Sequence, residues 1–226
     1  MKKIVVIIVV FFVFQVGKAQ NEKMTQELQK FTAVKGFDGL AITLIKSDVN
    51  KAVITGTNTK KVAIVNNKGV LKIRMELDKI FSGYRTFINL YYTEELTEID
   101  VNEDAKFTSK EVFEQDKITL KAQEGGEIQL NTQVKDIVIK AITGGVVAAN
   151  GKAASQDVTI STGGIYKGED LHSKVTTINV NAGGTGTIYA TDYVKATVKA
   201  GGTVEVYGDP TKMDEKTVFG GKIKRM

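Results

Sequence analysis

The sequence predicts an all-β fold, a right-handed parallel β-helix: a single-stranded solenoid with a less regular N-terminal part. Three observations predict it. Six glycine pairs, Gly125-Gly126, Gly144-Gly145, Gly163-Gly164, Gly183-Gly184, Gly201-Gly202 and Gly220-Gly221, recur at steps of 19, 19, 20, 18 and 19 residues. A period in this range reads as one coil per repeat. Before these pairs, Leu120, Ile139, Val158, Ile178 and Ala196 share one offset, and Ala122, Ala141, Ile160, Val180 and Val198 share another. Polar Lys121, Lys140, Thr159, Asn179 and Thr197 lie between them, so each repeat writes a half-buried strand in one register. After the pairs, Ile128 and Leu130, Val147 and Ala149, Ile188, and Val204 and Val206 write a second strand-like stretch. Each coil is therefore expected to hold at least two short strands, bent at the glycine pair, where positive φ costs glycine little.

Taken from the start, residues 1–19 read as an export signal. Lys2 and Lys3 precede an apolar run, Ile4 to Val16, and Gly17-Lys18-Ala19 offers small residues for cleavage. The run is about 13 residues long, short of the roughly 20 that span a bilayer as a helix. The absence of Cys after it excludes lipoprotein attachment. Residues 20–35 read as an N-terminal leader or cap, with Met24, Leu28 and Phe31 spaced as on a short amphipathic helix.

Residues 36–226 read as the β-helix domain. Strand-like runs at residues 40–45, 62–65, 70–73, 87–91 and 118–121 allow four or five less regular coils before the glycine-paired ones. Asn66-Asn67-Lys68-Gly69 reads as a hairpin turn, so an antiparallel pair is expected near the start. Asp209-Pro210 stops a strand, and Lys222, Lys224 and Arg225 charge the last edge.

Rival architectures fit less well. A leucine-rich repeat needs a leucine-and-asparagine ladder that is missing. An outer-membrane barrel needs strands of roughly 9–11 residues, where about five are read here. A sandwich does not demand the same inward offsets in every repeat.

Composition narrows the function. The chain carries 31 Lys and Arg against 26 Asp and Glu, a formal net charge of +5. Loss of Lys2, Lys3 and Lys18 with the signal lowers it by three, to +2. No basic stripe remains, and nucleic acid is not an expected partner. With no Cys, stability rests on burial and backbone pairing rather than disulfides.

Gly36-Phe37-Asp38-Gly39-Leu40, the strand entry Tyr92-Thr93-Glu94-Glu95-Leu96-Thr97-Glu98-Ile99, the Thr-Gly-Gly and Ala-Gly-Gly bends, and Val206-Tyr207-Gly208-Asp209-Pro210 together resemble a family of exported bacterial proteins. It is the putative auto-transporter adhesin, head GIN domain family. The resemblance covers about residues 36–221. It implies an envelope or surface β-helix of Bacteroidetes-like organisms and brings no catalytic residues. Residues 80–86 depart from the smooth pattern.

No reactive constellation stands out. His172 is the one histidine, expected in a loop, and lacks the partners that zinc or nucleophilic sites require. Glu103 or Asp104 could stack near Glu124 or Glu127, but nothing selects a hydrolytic pair. Gly183-Gly184-Thr185-Gly186-Thr187 opens like a calcium nonapeptide and fails where Thr187 replaces Asp. No catalytic residue, metal or cofactor is expected.

Tyrosines supply the binding candidates. Tyr84, Tyr91 and Tyr92 lie in the irregular part beside Arg85, while Tyr189 and Tyr207 share one repeat offset and are expected to stack. The expected function is a non-enzymatic, exported surface or envelope module that binds glycan or protein. The alternatives are a polysaccharide-acting enzyme on the same scaffold, or a purely structural envelope component.

Overall fold

The structure, a computed structural model, describes residues 22–226; the export signal expected at 1–19 lies outside the described residues. The strands in chain order are β1 (Glu22–Glu27), β2 (Ala33–Gly36), β3 (Ala41–Lys46), β4 (Lys51–Gly56), β5 (Val62–Asn67), β6 (Val70–Met75), β7 (Thr86–Tyr92) and β8 (Glu98–Val101). They continue with β9 (Lys106–Gln123), β10 (Glu127–Ile142), β11 (Val146–Ser161), β12 (Ile165–Asn181), β13 (Thr185–Lys199), β14 (Thr203–Tyr207), β15 (Lys212–Val218) and β16 (Lys222–Arg225). From β9 onward each strand pairs in parallel with the next coil, and the whole is a β-solenoid of about 7 turns.

The repeat offsets read from the sequence are the observed register. Leu120, Ile139, Val158, Ile178 and Ala196 pair in series, and all are fully buried. Where two short strands per coil were expected, one strand of 15 to 18 residues runs between turns in β9 to β13. The stretch after one glycine pair continues into the stretch before the next. It bends where the pairing register shifts, as between Gln129 and Asn131 or Ala148 and Gly151, and the ladder stays continuous around the corner. Length therefore does not exclude a membrane barrel; parallel pairing does, because such barrels are antiparallel.

The two glycines of a pair serve different ends. The bend is carried by the first glycine and the residue before it: Thr143 and Gly144 have φ of 49° and 73°, and Thr162 and Gly163 have 50° and 72°. Two successive positive φ values make a type I′ turn, closed by Gly145 N–H donating to Ile142 O at 2.9 Å. The second glycine answers to space. A Cβ on Gly145 would stand 2.1 Å from Ala122 O of the coil below, whereas one on Gly144 would meet nothing.

The N-terminal part stacks out of chain order. β2 lies between β6 and β8, and β3 lies between β7 and β9. The coil written later, β6 with β7, is thus the outer layer, and the chain passes back over the β2–β3 coil to begin β8. This outer layer is finished by reversed strands: β4 pairs antiparallel to β7 and β1 to β4, while β5 pairs antiparallel to β6. The β5–β6 hairpin turns at Lys68 and Gly69, as the asparagine-rich segment predicts, with Asn66 Oδ1 accepting Gly69 N–H at 3.0 Å. Four or five extra coils do not form, because β4 and β5 run backward as covering strands.

The amphipathic helix expected around Met24 and Leu28 is instead strand β1 and an extended approach to β2. A spacing of four fits one helical turn and also two strand periods. The need of β4 for a partner decides between them.

Candidate functional site

The most irregular surface lies at the N-terminal end, where residues 76–85 loop out between β6 and β7. Its anchor is Asp38, buried, with φ of 62°, in the turn at the head of the stack. Asp38 Oδ2 accepts Met75 N–H at 2.9 Å and Oδ1 accepts Phe81 N–H at 3.2 Å. Its main-chain oxygen accepts Gly83 N–H at 3.0 Å. Lys61 holds the loop from outside through Glu76 at 2.9 Å and Asp78 at 3.0 Å.

The anchored loop displays apolar side chains to solvent. Leu77 is 74% exposed and Phe81 57%, with Ile80 and, on β5, Val65 beside them. Phe81 holds φ of 58°, a left-handed conformation that is rare and costly for an aromatic residue. Between loop and hairpin lies a cleft of about 430 Å³ lined by Phe37, Val65, Met75, Leu77 and Ile80, with Lys72 and Arg74 on its rim and Asp38 and Glu103 at its base. Burial, and then the charge of Asp38, raise the Glu103 carboxyl above its ordinary range.

The structure separates the tyrosine candidates into three places. Tyr84 sits flat over Gly39, where a Cβ would come within 2.9 Å of the ring, and its hydroxyl donates to Asp104 Oδ2 at 2.8 Å. That bond raises the phenol pKa, and the ring remains 55% exposed. Arg85 is next to it, exposed, and its carbonyl accepts Thr57 N–H. Tyr91 and Tyr92 stand at the far end of β7. Tyr91 lies under Lys51 Nζ at 4.9 Å; Tyr92 is buried, stacked on Phe113 at 6.1 Å, and pushed up to about 12 by burial.

Tyr189 and Tyr207 pair in register along the solenoid, far from the cleft. The partner stacked on Tyr189 is His172, with centroids 4.0 Å apart and planes 4° from parallel. His172 is exposed, as expected, but belongs to β12 rather than to a loop. Rings stacked in this way present their edges. The His172–Tyr189 contact covers one face of each ring and stabilises neighbouring coils.

The sequence reading missed Asp38, Val65, Lys72, Arg74, Leu77, Ile80 and Phe81. The break in alternation at residues 80–86 could have found Ile80 and Phe81, whereas the others are brought to the cleft only by the fold.

The sequence matches the model of the family described as putative auto-transporter adhesin, head GIN domain, over residues 30–210. The chain belongs to this family. No curated protein matches it. Among solved structures it is similar to a putative adhesin from Bacteroides fragilis, with TM-score 0.84, 14% identity, and coverage of 92% of this chain and 98% of that one. It is also similar to a structure from Parabacteroides distasonis described as a putative lipid binding protein, with TM-score 0.69, 16% identity, and coverage of 92% and 98%. A putative adhesin from Parabacteroides merdae has TM-score 0.63, 16% identity, and coverage of 93% and 98%. Identities this low show a shared solenoid fold and nothing finer.

Proposed function

We propose that this member of the head GIN family is an exported, non-enzymatic interaction module that works at the cell surface or in the envelope, binding glycan or protein through its N-terminal end. The observation that carries this reading is the anchored, exposed apolar loop. Leu77, Ile80 and Phe81 are held outward by a buried carboxylate and a strained backbone, against the ordinary tendency to bury such residues. Tyr84 adds one free ring face beside Arg85.

The carboxylates of the cleft do not support the polysaccharide-acting alternative. Asp38 is already committed to two main-chain amides, and its charge helps to raise the neighbouring Glu103 carboxyl. Glycoside hydrolysis needs a gap of about 5–9.5 Å between its carboxyl groups.

Glycan-array and cell-adhesion assays of the full chain beside a Leu77→Ser/Phe81→Ser variant test the proposal. Binding that the variant loses supports it. Equal binding by both proteins moves the site elsewhere, and no binding by either overturns it. Since one structural neighbour is described as a putative lipid binding protein, fatty acid belongs among the competitors. Displacement by fatty acid alone would make the cleft a lipid site.

A further inference from the structure

Four strands end the sheet with one edge unpaired among the described residues: β1, β5, β15 and β16. Such edges recruit other strands unless charge or cover prevents it. Three of them carry charge along their length, with Lys23 and Glu27 in β1, Lys212, Asp214, Glu215 and Lys216 in β15, and Lys222, Lys224 and Arg225 in β16. β5 reads Val-Ala-Ile-Val-Asn-Asn and carries none. Asn67 and Val70 flank the hairpin turn, so alternate residues Asn67, Val65 and Ala63 direct their main-chain groups at β6. The N–H and C=O of Ile64 then face away from the sheet. Residues 29–30 approach the Asn66 end, where the Asn66 side-chain amide donates to Lys30 O at 3.0 Å, so the open stretch centres on Ile64.

We infer that the open edge of β5 takes a short extended segment of another polypeptide, rich in acidic residues, as an added strand. Main-chain donors and acceptors in strand register are matched by another strand and by no sugar or acyl chain. Side-chain recognition follows from the face that carries Val65. The cleft lies on this face, and Lys68, Lys72 and Arg74 are exposed there without an ion-pair partner among the described residues. Outward side chains of the added strand meet Val65 first, and a long carboxylate side chain extends toward Arg74 or Lys72. A second copy of this chain is a poor occupant. Antiparallel β5–β5 pairing sets a strand without any acidic residue against this edge, so it supplies no carboxylate for Lys72 or Arg74.

The inference rests on the reading of the chain as an interaction module and specifies the partner. Its test uses the full chain and a blocked hexapeptide alternating Glu with Val or Ile, followed by calorimetry and by hydrogen exchange at the Ile64 amide. Saturable binding with slowed exchange at Ile64 is expected. A Lys72→Glu/Arg74→Glu variant, altered only at exposed side chains, should weaken it by about 10-fold. N-methylation of the peptide amides that face β5 should abolish it. Binding without protection of Ile64, binding indifferent to N-methylation, or no binding overturns the inference. Protection of Ile64 by self-association without peptide overturns it in favour of a second copy. Cell or glycan binding by a chain that fails these peptide tests leaves the interaction module standing and removes this partner.

Discussion

Single residues show how closely each position is matched to its place. Gly144 and Gly145 are adjacent and interchangeable in sequence, yet alanine should affect them unequally. At Gly144 it brings only left-handed strain, about 1–2 kcal/mol. At Gly145 it drives a Cβ to 2.1 Å from a main-chain oxygen of the neighbouring coil, which must shift, at about 3 kcal/mol or more. Urea titrations of the two variants measure the difference, and equal midpoints would contradict the assignment of space to the second glycine. Glu103 gives a pH-dependent counterpart. Its folded pKa lies above the ordinary 4.5, so the folded state binds more protons than the unfolded one between those values. Its contribution is complete below 4.5 and is lost as pH rises through the raised value. Glu103→Gln should remove that decline, seen as a flatter profile of stability against pH just above the ordinary carboxylate range.

Among elements, the long bent strands tolerate polar residues inside the stack only when their bonds are complete. The column that holds Ile118 and Ile137 continues as Gln156 and Thr176, both buried. Tyr166, fully buried, donates its hydroxyl to Gln156 Oε1 at 2.7 Å, and Gln156 Nε2 donates to Leu171 O at 3.1 Å and Tyr189 O at 3.3 Å. Gly168 makes room for the Tyr166 ring, since a Cβ there would stand 2.4 Å from it. Tyr166→Phe keeps the packing and orphans one Gln156 acceptor, with an expected loss of about 1–3 kcal/mol in denaturant unfolding. No measurable loss would mean that the bond is not what the tyrosine supplies. These strands and their inward offsets were legible because the pattern is local and repeated. The strand at β1 was not, because four-residue spacing satisfies helix and strand alike.

For the whole molecule, a stack of near-identical coils makes length adjustable. Deleting residues 126–144 joins Gly125 to Gly145 and removes one coil, leaving β9 to pair with β11 in the same register. The shortened chain should remain folded and parallel, with a denaturant slope reduced in proportion to the surface no longer buried. A molten or aggregated product would show that the coils are less equivalent than their register implies. The two ends are not equivalent. One is closed by reversed strands and a displayed apolar loop, the other by β15 and β16 with their lysines. The proposed added strand would dock at the first end, because the strand edges of the second carry charge along their length.

The sequence alone determined the coil, its period, its inward residues and its turns, since each follows from spacing within some 20 residues and is stated again in every repeat. It also sufficed for the family. The tertiary structure decided the order in which the first coils stack, the edge that β5 leaves open, and the cleft beneath the loop. Those depend on which distant strands find each other, β2 with β6 and β8 above all, and a singly written stretch of chain carries no repetition from which such a pairing could be read.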